Sequence, residues 1–321
     1  MEPFVQPSGK QPENQYGVSS YPGDSEEKYN LDNDDNQVVH QSVNNSDINS
    51  GVPVSIMESI KFGFIRTFKN AGFWIIYSLI TVIVLGIGMS VFFSPLITEI
   101  ANDPSASQTD ITFGAGSFLA YIIMMIVLAA LGIVSMVQAI QEVRVVKPDY
   151  TTVVDGGELP KWSTALQNIK WGKIILTMII IGVLSGLIIG IFSGLTAFML
   201  LGSMQSESAS AGIAIILSLF IIAAYVAMFI IMMFVSYAVY FAADNDINDQ
   251  ISPLDCIKLS WNAVKPQFWK VLGFTLLMSI ITYIGAIFTL GIGIIILMPA
   301  SVIAQAHMYR QLSGKYVPIK Q

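Results

Sequence analysis

The sequence predicts an all-α membrane protein with six transmembrane helices arranged as three hairpin repeats, each preceded by an amphipathic interfacial helix. Three observations carry this. Of 321 residues, 54% are hydrophobic and only 12% charged, where a soluble domain has about 25% charged residues. The apolar residues come in unbroken runs of about 20, the length that crosses hydrocarbon. Finally, all sixteen Lys and Arg residues lie in the tails, the interfacial helices or their flanks, and none in 94–113, 203–210 or 289–293. Positive residues mark the cytoplasmic side, so both termini are expected in the cytoplasm, with three short outer loops.

Residues 1–54 hold nine acidic residues and two lysines and are rich in Asn, Ser, Gln, Gly and Pro. Such a segment cannot bury enough apolar surface to offset its ordering entropy, so a disordered acidic cytoplasmic tail is expected. The net charge of −6 belongs to this tail, because the remainder holds thirteen acidic and fourteen basic residues. The first apolar run begins near residue 71, so no N-terminal signal peptide is expected.

The membrane domain, 55–315, opens with an amphipathic helix over Ser55–Asn70. Ser55 and Glu58 suit a capping box; Met57, Ile60, Phe64 and Phe68 share one face, with Lys61, Arg66 and Lys69 largely off it. A basic helix of this kind fits the headgroup region. Spans follow at about 71–93 and 115–138, separated by a polar loop containing Pro95 and Pro104. A weaker amphipathic segment, Pro160–Lys170, leads into spans at about 173–201 and 212–241. Ser252–Lys265 is another interfacial helix, with Ser252 as N-cap, Pro253 in the first turn and Asp255 completing the box. The last spans, about 268–288 and 292–309, are joined by Thr289-Leu290-Gly291-Ile292-Gly293. Pro299 is expected to kink the sixth, as membrane helices tolerate.

The repeat is read from an ungapped alignment of Ser55-Ile56-Met57-Glu58-Ser59-Ile60-Lys61 on Ser252-Pro253-Leu254-Asp255-Cys256-Ile257-Lys258. Phe73-Trp74 and Phe268-Trp269 follow at nearly equal distances, and Ser135…Arg144 corresponds to Ser301…Arg310. The repeats are parallel, and the middle one, from about residue 160, is the most diverged.

Two constellations stand out. Gly182, Gly186, Gly190 and Gly194 recur every four residues and form a ridge on one helix face. A neighbouring backbone can approach such a ridge closely, so it is expected to be a helix-packing seam, within the chain or with a protein partner, rather than a substrate groove or pore lining. Ser135, Gln138, Ser236, Tyr240, Ser301, Gln305 and His307 gather toward the cytoplasmic ends of the even-numbered spans, with Gln141 and Tyr237 beside them. They form a candidate polar vestibule. No charged residue lies between Trp74 and Thr98, Ile111 and Gln141, Ile174 and Gln205, Ser210 and Ala243, or Val271 and His307. Intramembrane catalysis needs acid, base or metal ligands there, so no enzyme, cofactor or metal site is expected. The single Cys256 rules out an intramolecular disulfide or a CxxC site, and no basic cluster suits nucleic acid.

An amphipathic helix ending in Trp261 and Lys265, the turn Leu290-Gly291-Ile292-Gly293, Pro299 and the closing Tyr309-Arg310…Gly314 carry a resemblance. The region about 55–315 is similar to a bacterial group that includes YciC-like proteins and the membrane domains attached to some glycerophosphodiester phosphodiesterases. The resemblance implies a six-helix protein of the bacterial inner membrane. The phosphodiesterase catalytic domain has no counterpart in the sequence, so that activity is not implied. The expected function is non-catalytic: a scaffold or accessory subunit of a cell-envelope complex, contacting lipid and recruiting protein partners through the tail or the glycine ridge. The alternative is a transporter or channel component for a lipid or neutral solute. Tightly buried ridge glycines would favour the first, and a lateral opening or cavity at midplane the second.

Overall fold

The computed structural model describes residues 54–102, 114–143, 159–167, 169–204, 211–244 and 251–314. The acidic tail (save Val54), most of the loops at 94–113 and 203–210, and residues 144–158 lie outside them. The described residues contain helices α1 (Ile56–Lys69), α2 (Ala71–Asn102), α3 (Ala115–Val143), α4 (Trp171–Met204), α5 (Ala211–Val235), α6 (Ala238–Ala243), α7 (Pro253–Val264), α8 (Phe268–Phe288) and α9 (Ile294–Leu312). No strand occurs among them. Five stretches are long and apolar enough to cross a membrane: Ala71–Thr98, Gly116–Val143, Trp171–Phe198, Ser218–Ala243 and Pro253–Phe288.

The helix of the sixth expected span, α9, is not among these five. Its 19 residues begin apolar, but Gln305, His307, Arg310 and Gln311 occupy the second half, and His307, Arg310 and Gln311 are buried within the protein. This is the central helix of the bundle, packed on α1, α2, α3 and α8.

α2 outruns its expected bounds and continues through Pro95 into the segment read as loop. The fourth span is broken: α5 ends at Val235, residues Ser236 and Tyr237 form a turn, and α6 resumes at Ala238. Pro160–Lys170 is not an α-helix among its described residues. The N–H of Thr164 bonds to the Lys161 carbonyl and that of Gln167 to the Thr164 carbonyl, both three residues back. The Ala165 carbonyl is taken by the Gln138 side chain at 3.0 Å, and the Trp162 ring packs on Phe73 at 4.7 Å.

Both expected capping boxes are half formed. The Ser55 hydroxyl accepts the Glu58 N–H, but the Ser55 N–H donates to Gln311 Oε1 at 2.7 Å instead of to Glu58. In α7 the Ser252 hydroxyl accepts the Asp255 N–H at 3.2 Å and donates to the Asp255 carboxylate at 2.7 Å.

On α1, Met57 and Phe68 of the apolar face are exposed, while Ser59, Ile60, Gly63, Arg66 and Thr67 are buried within the protein. The cause is the close approach of α9: a Cβ at Gly63 would strike the Ala300 carbonyl oxygen and lie 2.9 Å from the Ala304 Cβ. Small residues meet here, so the helices touch backbone to backbone. In α7, Cys256, Ser260, Ala263 and Val264 are buried at the positions that align with Ser59, Gly63, Arg66 and Thr67.

The core is concentrated at one end of the helices. It joins the start of α2 (Phe73, Trp74, Tyr77), the end of α3 (Ile133 to Val143), α6, α7, the start of α8 and the second half of α9. Towards the other end, large apolar side chains such as Ile87, Ile126, Leu187, Ile191 and Ile287 are exposed.

Candidate functional site

Beside the break between α5 and α6 lies a cavity of about 330 Å³. The break supplies Ser236, Tyr237 and Tyr240; α8 supplies Phe274, Thr275, Met278, Ser279, Thr282 and Tyr283; α9 supplies Ser301 and Gln305. Phe274, Met278, Tyr237 and Tyr240 are buried and form its floor, whereas Ser236, Ser279 and Tyr283 are exposed at its rim. No carboxylate, lysine, arginine, histidine or cysteine lines it.

The helix break is built and held locally. Ending a helix inside an apolar region frees carbonyls that have no water to bond. The Ser236 hydroxyl donates to the Met233 carbonyl at 2.9 Å. From α7, the Ser260 hydroxyl donates to the Phe234 carbonyl at 2.6 Å. The Phe234 ring stacks on Trp261 at 4.2 Å and on Phe268 at 5.6 Å. Helix α7 therefore braces the break that shapes the cavity.

The hydrogen-bonding state of the lining separates two kinds of hydroxyl. Thr275 and Ser301 bond to carbonyls of their own helices, those of Val271 and Met298, at 2.9 and 2.8 Å. Tyr240 donates to Gln305 Oε1 at 3.2 Å and stacks on Tyr309 at 5.6 Å. The hydroxyls of Tyr237, Ser279, Thr282 and Tyr283 and the amide nitrogen of Gln305 have no hydrogen-bond partner among the described residues. Most span hydroxyls elsewhere satisfy themselves by back-bonding, as Thr81, Ser90, Thr177 and Thr196 do. Five lining residues thus offer polar atoms to a ligand, although unmet polar atoms are not confined to the cavity: the buried Ser78 hydroxyl in α2 also has no partner among the described residues.

Of the seven expected vestibule residues, Ser236, Tyr240, Ser301 and Gln305 line this cavity. The other three lie elsewhere, because each is taken by a neighbour. Ser135 bonds to the Gly132 carbonyl at 2.9 Å, and Gln138 to that of Ala165. The His307 Nδ1 lies 3.1 Å from the Ser59 hydroxyl and 3.0 Å from the Gln311 amide, with its ring on Phe62 at 4.6 Å. The reading of the sequence missed the α8 contribution, although Thr275, Ser279 and Thr282 recur at helical spacing on one face of an otherwise apolar span.

The glycine ridge is not a seam within the described residues. Gly182, Gly186, Gly190 and Gly194 are exposed, and a Cβ built at any of them meets nothing within 4 Å. Regular spacing permits close approach, but no helix among the described residues lies opposite. The tight glycine contacts are at Gly63, at Gly88 against Met124, and at Gly285 against Leu297.

Two charged pairs are buried in the core. Arg66 Nε lies 3.5 Å from Glu142 Oε2, and Trp74 Nε1 donates to Glu142 Oε1 at 2.8 Å. Asp244 Oδ2 accepts from the Tyr309 hydroxyl at 2.8 Å and from Arg310 Nη1 at 3.4 Å. The Lys170 ammonium donates to the Asp244 backbone carbonyl at 3.4 Å. These pairs fasten α1 to α3 and the end of α6 to α9. Among the described residues no three His, Cys, Asp or Glu side chains stand together in a way that could hold a metal ion.

No family model, curated protein or solved structure matches this chain.

Proposed function

We propose that the chain is a bacterial inner-membrane protein that binds a lipid or neutral solute and passes it within the bilayer, without catalysing a reaction on it. One observation carries this: a charge-free cavity lined by hydroxyls beside a broken helix. Interrupted helices and irregular backbone at membrane depth are tolerated where they line such a cavity, and transporters place binding sites at them. At about 330 Å³ it sits at the small end of ligand pockets, which run from about 300 to 1,000 Å³.

In this proposal α9 is the sixth span and both termini are cytoplasmic. The matching buried register of α1 and α7 supports three hairpin units, as does the way each leads into a long apolar helix. Such an arrangement is what the YciC-like resemblance implies.

The exposed ridge Gly182–Gly194 supports a second reading, that of an accessory subunit receiving a partner helix along α4. Reconstitution decides between the two. Proteoliposomes containing the full chain are expected to speed transbilayer movement of labelled lipid or uptake of a neutral polyol, and Ser279→Trp should abolish the effect. If neither cargo moves, and native purification instead yields a stable partner lost in Gly186→Leu, the accessory reading replaces the first.

A further inference from the structure

We propose that the cavity holds the uncharged, hydroxyl-bearing headgroup of a membrane lipid, with diacylglycerol the smallest member of the class. This rests on the cargo-binding reading above and narrows it. The lining offers unmet donors and acceptors at Tyr237, Ser279, Thr282, Tyr283 and Gln305. Each hydroxyl both donates and accepts, so the set matches a ligand that carries a hydroxyl beside its ester acceptors rather than a pure acceptor. A phosphate would bring a charge into a low-dielectric recess with no cation to pair it, which is strongly unfavourable.

The shape argues for a lipid over a free polyol. Ser236, Ser279 and Tyr283 sit at an exposed rim on the side of the helices, so the cavity opens laterally. Beyond this rim the exposed face of α8 continues as Ile280, Ile284 and Ile287, which are 52%, 50% and 69% exposed. A headgroup seated at Ser279 would lay its acyl chains along these isoleucines, towards the α8–α9 turn. A water-soluble polyol has no use for that track.

The test uses the full chain in nanodiscs with three probes: photoactivatable diacylglycerol, photoactivatable phosphatidylglycerol, and free glycerol as competitor. Diacylglycerol is expected to label α8 or α9. The near-isosteric pair Ser279→Ala with Thr282→Val should cut labelling about tenfold, as lost hydrogen bonds do. Tyr237→Phe, which removes one hydroxyl and keeps the ring, should cut it several-fold, and thermal unfolding reports whether each variant is intact. Equal or stronger cavity-dependent labelling by phosphatidylglycerol overturns the uncharged-headgroup assignment but leaves the cargo-binding reading standing. Full competition by glycerol overturns the lipid assignment and leaves a neutral solute. Absence of any labelling that responds to the intact variants overturns both.

Discussion

The indole N–H of Trp74 donates to the carboxylate of Glu142 at 2.8 Å, and neither residue has any exposed surface. Arg66, from the helix before, closes the group. A buried carboxylate held by one cation and one N–H depends on both. Glu142→Gln should therefore break the buried pair by removing the carboxylate that Arg66 Nε faces, and cost about 3–5 kcal/mol. Trp74→Phe, which removes only the donor, should cost about 1–3 kcal/mol. The double change Arg66→Met with Glu142→Met should be milder than Glu142→Gln alone. Thermal unfolding in detergent measures all three, and an unshifted midpoint for Glu142→Gln would contradict the geometry.

Gly63→Leu should detach α1 from α9, because the new side chain would occupy the space of the Ala300 carbonyl and the Ala304 methyl. Lower abundance and protease sensitivity near residue 55 are the expected readouts. Gly186→Leu and Gly190→Leu should leave the isolated protein as stable as wild type, because nothing in the described chain faces them. The opposite ranking would show that the close helix contact lies on α4.

Ser260→Ala removes the hydroxyl that satisfies the Phe234 carbonyl at the break. The expected loss is about 1–3 kcal/mol, the cost of an unmet buried acceptor. The loss should be accompanied by faster hydrogen exchange over 234–240. Equal exchange in the two proteins would mean that α7 does not brace the break.

Membrane orientation is checked with single cysteines in a Cys256→Ser background. In intact spheroplasts an impermeant maleimide should label Leu290→Cys and spare Lys61→Cys. Labelling of Lys61→Cys from outside would invert the proposed topology.

Much of the helical framework is legible in the sequence because apolar run length is a local property. α8 has the expected bounds, 268–288, and the caps of α1 and α7 start at the expected serines. What faces what is not local. The buried stripe of α1 runs through Ser59 and Gly63 because its partner is α9, far along the chain, and no pattern within α1 announces it. The same holds for the glycine ridge: spacing shows that a face is smooth, not what lies on it. The cavity was half legible. Ser236, Tyr240, Ser301 and Gln305 stand out as polar residues near span ends, whereas the α8 hydroxyls each sit singly in an apolar run. The break at Ser236 and Tyr237 carries no Pro or Gly, and only the contacts from Ser260 and Trp261 account for it.

The bond from the Ser55 N–H to Gln311 joins residues 256 positions apart. Such a contact has a consequence for biogenesis. Helix α1 cannot dock on α9 until α9 has been translated, so α1 waits with Ser59 and Gly63 uncovered while the apolar helices between them are made. A chain truncated after residue 290 would keep every earlier hydrophobic segment yet never gain its latch, and the cell's quality-control proteases would meet it in that unlatched form.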